Sequence, residues 1–165
     1  LCLERGLVLR GLGYRVMVHI DADKPPSPAL VAKLTAAGGD LLTWRTGRAL
    51  EDELFMSLPV AAVDTLVMYA IERMGREVVE EHIKSKSEGK RTLESIETER
   101  AAMGAYLVPT RELLGRAARV SRNGWFKNVS AYQHIGRTIV GPHAQTSEAG
   151  FLTLLNSLWA WMHAA

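Results

Sequence analysis

The run Val16-Met17-Val18-His19-Ile20-Asp21-Ala22-Asp23-Lys24-Pro25-Pro26 puts two carboxylates one residue apart at the end of an apolar segment. Carboxylates this close repel one another, and a cation beside them relieves the repulsion. An all-oxygen donor pair suits a hard divalent ion such as magnesium. If the segment is a strand that continues through Asp23, both side chains fall on one side of it. A turn or helix cap that uses one aspartate is the competing account. The small Ala22 between the pair and Lys24-Pro25 after it favour the metal site.

A second acidic cluster, Glu51-Asp52-Glu53, stands at the start of a predicted helix. The helix dipole alone favours acids there. In a parallel sheet, however, this segment leaves the same edge as Asp21, and a third carboxylate would complete a shared metal site. Glu51 and Glu53 have the longer reach. A third feature is Gly124-Trp125-Phe126-Lys127. The two aromatics can anchor a turn while Lys127 projects a point charge able to stabilise a phosphoryl transition state. A lysine snorkelling over an apolar patch is the alternative.

The histidines carry less. His19 reads as a packed strand residue, and His82, His134, His143 and His163 lack paired metal spacing. Gly11-Leu12-Gly13 precedes a strand instead of following one, so it is not a dinucleotide fingerprint. Neither a phosphate-binding glycine loop nor a nucleophile elbow is present. Trp159 and Trp161 read as core or interface packing.

The elements that must position these residues follow from spacing. Apolar residues at 3, 7, 8 and 12 predict a helix over 1–12, and 14–20 predicts a buried strand. Ser27 is the predicted cap and Pro28 the first residue of a helix that Gly38-Gly39 stops. A second strand is expected over 41–44. Helix, strand, helix, strand within so short a span implies parallel strands joined by a crossover. Helices are predicted over 50–58, 60–74 and 77–86, followed by a mobile charged loop over 84–91. Pro109 opens another helix, 121–124 is a turn, and 129–135 a short helix. Gly141-Pro142 breaks the chain, and Thr146 or Ser147 caps a last helix ending near His163.

The expected class is therefore α/β, a small parallel sheet flanked by helices, with a helical insertion and a C-terminal helical lobe. The expected division is a partial core over 1–58, a helical insertion over 59–122 and a return to the core over 123–165. With 165 residues, 47% hydrophobic and 23% charged, a folded globular chain with a sizeable core is expected. A net charge of +2 does not by itself imply nucleic acid, but its distribution is uneven. Residues 51–100 hold twelve acidic and seven basic side chains, whereas 108–140 hold six basic and one acidic. That late basic segment could meet phosphates or could be a solvated helix face. Cys2 is the only cysteine, which excludes an internal disulfide or a cysteine zinc site and makes a reducing cytoplasm the expected location. No apolar run is long enough for a bilayer.

Taken in order, the strand ending in Asp21-Ala22-Asp23, then Leu50-Glu51-Asp52-Glu53-Leu54-Phe55, then Gly124-Trp125-Phe126-Lys127 resembles the Toprim region of OLD-family (overcoming lysogenization defect) nucleases. The resemblance covers most of the chain. It implies a Toprim-like sheet and metal-dependent endonuclease or nicking activity on DNA, with Mg²⁺ or Mn²⁺ and usually two ions. Asp21 and Asp23 would be metal ligands, and Glu51 or Glu53 an additional acidic one with Glu51 in a catalytic role. Lys127 would match the catalytic lysine. Arg119, Arg122 and Lys127 are the expected DNA contacts. The family's first motif, a strand followed by a glutamate-bearing turn, lies upstream of the paired aspartates. Here only 1–13 precede the strand, with Glu4 as their one acid. The chain is thus expected to be a C-terminal fragment that cleaves little alone, with an ATPase domain upstream and a possible homodimer.

Two other classes compete. A haloacid-dehalogenase-like phosphatase would use Asp21 as nucleophile and Asp23 as acid/base, but it expects Thr or Val where Pro25 stands. A degenerate Toprim or helical interaction domain would use the apolar last helix for docking.

Overall fold

The computed structural model describes residues 2–45, 47–120 and 122–164. Leu1 and Ser121, assigned above to a helix and a turn, lie outside the described residues. The chain is mostly helical with a two-stranded parallel sheet, an α/β arrangement. It divides into two compact units, one of residues 1–50 with 156–165, the other of residues 51–155.

The first unit contains α1 (Cys2–Gly11), β1 (Met17–Ile20), α2 (Pro28–Ala36) and β2 (Asp40–Thr43). The strands pair in parallel, Met17 opposite Asp40 and Ile20 opposite Thr43. Parallel pairing needs a crossover, which α2 supplies. Leu3, Val16, Val18 and Leu34 form the core, with Leu7, Ile20, Leu30, Val31 and Leu41 against it. α1 approaches β1 so closely that a Cβ on Gly6 would lie 2.6 Å from Val18 Cγ2. Arg10 ties the helices together, donating from Nε to the Ala37 carbonyl at 2.8 Å. At the carboxyl end of the chain, Trp161 donates its indole N–H to Asp40 Oδ2 at 2.9 Å while Arg15 lies over its ring. Ser27 occupies the cap position of α2 without a side-chain bond, so Pro28 at the first turn is what sets that start.

The second unit is helical. It comprises α3 (Leu50–Ser57, from Glu51 on), α4 (Val60–Met74), α5 (Arg76–Lys86), α6 (Leu93–Met103), α7 (Val108–Ala118) and α8 (Val129–Ile135). A π-helical turn (Gly136–Val140), the single turn α9 (Gly141–His143), a 3₁₀ turn (Ala144–Thr146) and the first half of α10 (Ala149–His163) follow. Its core includes Leu54, Phe55, Leu66, Ile83, Leu114, Trp125, Phe126 and Phe151. Phe55, Trp125 and Phe126 meet edge-on or offset with centroids 5.9 to 6.4 Å apart, a favourable aromatic arrangement.

Four expectations need correction. α6 was not predicted: it buries only Leu93 and Ile96, so its apolar stripe is too thin to read as periodic. Thr92 starts it with a reciprocal capping box to Ser95. The charged stretch after α5 is a tight turn, with Ser87 Oγ accepting from the Arg91 N–H and Gly89 N–H bonded to the Lys84 carbonyl. Gly141-Pro142 does not break the chain. Proline is tolerated in the first turn of a helix, where its missing N–H has no required partner, and the backbone runs helically through it. Nor does Thr146 or Ser147 cap α10. Glu148 does so, accepting from the N–H groups of Gly150 at 3.0 Å and Phe151 at 3.3 Å.

Candidate functional site

In the first unit the candidate residues lie beyond the carboxyl ends of the parallel strands, where open α/β sheets bind ligands. β1 ends at Ile20, so Asp21 and Asp23 belong to the bend that follows it and strand alternation does not align them. The bend is instead tied to the connection after β2. Ala22 N–H donates to the Arg48 carbonyl at 2.8 Å, and Gly47 N–H to the Ala22 carbonyl at 3.0 Å. Leu50 N–H, at the start of α3, donates to Asp21 Oδ1 at 3.1 Å.

Asp21 therefore does serve a helix start, the competing role weighed above. This does not exhaust it, since an ionised carboxylate offers about four acceptor positions on two oxygens. Both aspartates are exposed. An exposed pair of carboxylates suits Mg²⁺ or Mn²⁺, whose remaining coordination water and phosphate oxygens commonly fill. Among the described residues, no group of three or more His, Cys, Asp or Glu is gathered to hold a metal.

His19, two residues before Asp21, packs on Trp44 with ring centroids 4.2 Å apart. Its Nε2 is buried without a hydrogen-bond partner. Burial pulls its pKa below the usual imidazole value, against the opposing pull of Asp21.

In the second unit the acidic start of α3 is buried: Glu51 is 5% exposed, Asp52 8% and Glu53 0%. The dipole account would leave these acids in water, but each has a protein partner. Glu51 Oε1 accepts from the Tyr132 hydroxyl at 2.8 Å, and Glu53 Oε2 from the Ser57 hydroxyl at 2.9 Å. Asp52 pairs with Arg119 at 3.3 Å. α7 reaches this turn through Gly115, where a Cβ would stand 2.9 Å from Asp52 Cα. Tyr132 and Ser57 were not recognisable beforehand, because hydroxyls distant in sequence or one turn along a helix carry no motif.

Lys127 is held by its neighbours. Trp125 and Phe126 are fully buried while Lys127 is exposed. Trp125 N–H donates to the Ala118 carbonyl at 2.9 Å, and Arg73 Nε donates to the Trp125 carbonyl at 3.2 Å. The Trp125 indole N–H donates to His82 Nδ1 at 3.1 Å. Burial, with the nearby Lys86 charge, lowers the His82 pKa. On the far side, Asn128 Oδ1 caps α8 by accepting from Ala131 N–H at 2.7 Å. An Asn just before a helical run was a readable signal for this cap. Of the expected DNA contacts, Arg122 and Lys127 are exposed, whereas Arg119 is engaged with Asp52.

No protein-family model, curated protein or solved structure matches this chain. Among the described residues no helix is long and apolar enough to cross a membrane.

Proposed function

We propose that this chain is the metal-binding part of a Toprim-like, OLD-family DNA endonuclease or nickase acting in the cytoplasm. The observation that carries the reading is the exposed Asp21-Ala22-Asp23 bend beyond β1, tied by backbone bonds to the connection after β2. Asp21 and Asp23 would hold Mg²⁺ or Mn²⁺. Bound divalent ions would supply an activated water and charge neutralisation at the phosphodiester. By the family resemblance alone, Lys127, exposed on a buried aromatic turn, would offset charge on the scissile phosphate. Glu51 or Glu53 enters as one further acidic ligand, and an upstream ATPase domain as partner, through the family resemblance alone.

The test is Mn²⁺-dependent nicking of supercoiled plasmid by the chain, by Asp21→Asn and by Lys127→Ala. Slow nicking that both substitutions abolish is expected. Nicking that survives Asp21→Asn would remove the metal site from the reaction. A chain that neither binds Mn²⁺ nor nicks would be the non-catalytic, assembly version of the fold.

A further inference from the structure

We infer a second contact site for DNA on the helical unit, a basic cleft of about 310 Å³ between the end of α5 and one face of α7. It rests on the nuclease reading, in which DNA is the substrate. Pro109, Leu113 and Arg116 recur at helical spacing and form the α7 wall. The opposite wall is the end of α5 and the turn after it, which bring Lys86, Lys90 and Arg91 to the same space. One carboxylate, Glu88, accompanies these four cations in the lining, and Lys90 pairs with it at 2.8 Å.

The cleft is pre-organised. Arg91 is fixed by Glu99 at 2.8 Å, Ser95 at 3.2 Å and Thr110 at 3.4 Å. The turn that carries Lys90 is held by Ser87 and by Gly89 N–H. Lys86 and Arg116 have no ion-pair partner among the described residues. Two uncompensated cations therefore share a cleft with two anchored ones, and a polyanion relieves their repulsion.

The lining identifies which polyanion feature binds. No aromatic side chain is present for base stacking. Pro109 and Leu113 offer an apolar floor suited to a sugar face, and all remaining contacts are charged or hydroxyl. The ligand is the phosphodiester backbone of duplex DNA, gripped without regard to sequence. The run Lys84-Ser85-Lys86-Ser87-Glu88-Gly89-Lys90-Arg91 was its sequence signal.

The experiment measures binding of a fluorescent duplex oligonucleotide to the full chain between about 50 and about 200 mM salt. The double variant Lys86→Gln/Arg116→Gln is compared with wild type, its folding checked by circular dichroism. Each lost phosphate contact removes roughly 0.9 from the log–log salt slope, so the double variant should lose about 1.8, or about 60-fold in affinity at about 0.1 M salt if the 1 M intercept is unchanged. Asp21→Asn should keep the wild-type slope while losing cleavage, which separates the two readings. An unchanged slope in a folded double variant would overturn the cleft. So would no wild-type binding to the duplex, or equal binding to polyglutamate, which would make the site a receptor for acidic protein segments. Wild type that binds the duplex with the expected slope but does not cleave it would overturn the nuclease reading instead.

Discussion

Gly124 is the position where a single methyl group most directly probes how Lys127 is held. A Cβ there would lie 2.9 Å from the Ala118 carbonyl oxygen and 2.9 Å from both Cγ and Cε of Lys127. The Ala118 oxygen also accepts the Trp125 N–H at 2.9 Å, so it cannot retreat without loosening that bond. The lysine stem can move. Gly124 is not in the left-handed region, so the cost of Gly124→Ala is steric and not conformational. Overpacking of this kind costs roughly 1–3 kcal/mol. With a urea m-value of about 2 kcal/mol/M, a loss of about 2 kcal/mol lowers the unfolding midpoint by about 1 M. Gly136 supplies a matched control of opposite sign. It has helical dihedrals of −58° and −45°, and its Cβ would meet nothing within 4 Å. Gly136→Ala should therefore gain roughly 0.5–1 kcal/mol. Urea unfolding followed by tryptophan fluorescence reads both. A Gly124→Ala midpoint at or above wild type, with Gly136→Ala raised as expected, would refute the close packing of this turn on the Ala118 carbonyl.

Two further outcomes follow from titratable groups in the helical unit. Burial pushes the Asp64 carboxyl up, but hydrogen bonds from Arg100 and from Tyr106 at 2.7 Å outweigh it and hold its pKa below the usual range. Tyr106→Phe should let that pKa rise, read by NMR, and should cost about 1 kcal/mol at neutral pH. That cost should shrink as acid protonates Asp64, and an unmoved Asp64 pKa would refute the pairing. His82 is the other case. Its native pKa is lowered, so the unfolded chain protonates first, and the stability it contributes is lost as pH falls from about 6.5 through the native value. Protonation would also convert Nδ1 from acceptor to donor, opposing the Trp125 indole. His82→Gln should flatten this part of the stability–pH curve, and an identical slope in wild type and variant would contradict it.

Local patterns carried much of the fold. The β-branched run before Asp21 and the glycine pair at 38–39 marked a crossover whose strands are indeed parallel. The Gly124 turn was readable because two aromatics beside a glycine seek burial, and both are buried. What escaped notice depends on partners far along the chain or on side-chain geometry. Glu51 meets Tyr132 across 81 positions, and nothing at either residue announces the other. The burial of all three acids of α3 follows from such partners and from the close approach at Gly115. α6 escaped because polar residues dominate it, leaving the Thr92 and Ser95 cap as its clearest mark. Asp21 could be placed at the strand end, but its bond to Leu50 requires the two loops to be folded together.

In the proposed function, Asp21 and Asp23 bind a divalent cation. Mn²⁺ binding to the full chain, followed by electron paramagnetic resonance, addresses it without relying on catalysis. Wild type should bind Mn²⁺ saturably, and Asp21→Asn/Asp23→Asn should lose that binding with helical content unchanged. Equal Mn²⁺ binding by the folded double variant, or none by wild type, would contradict it.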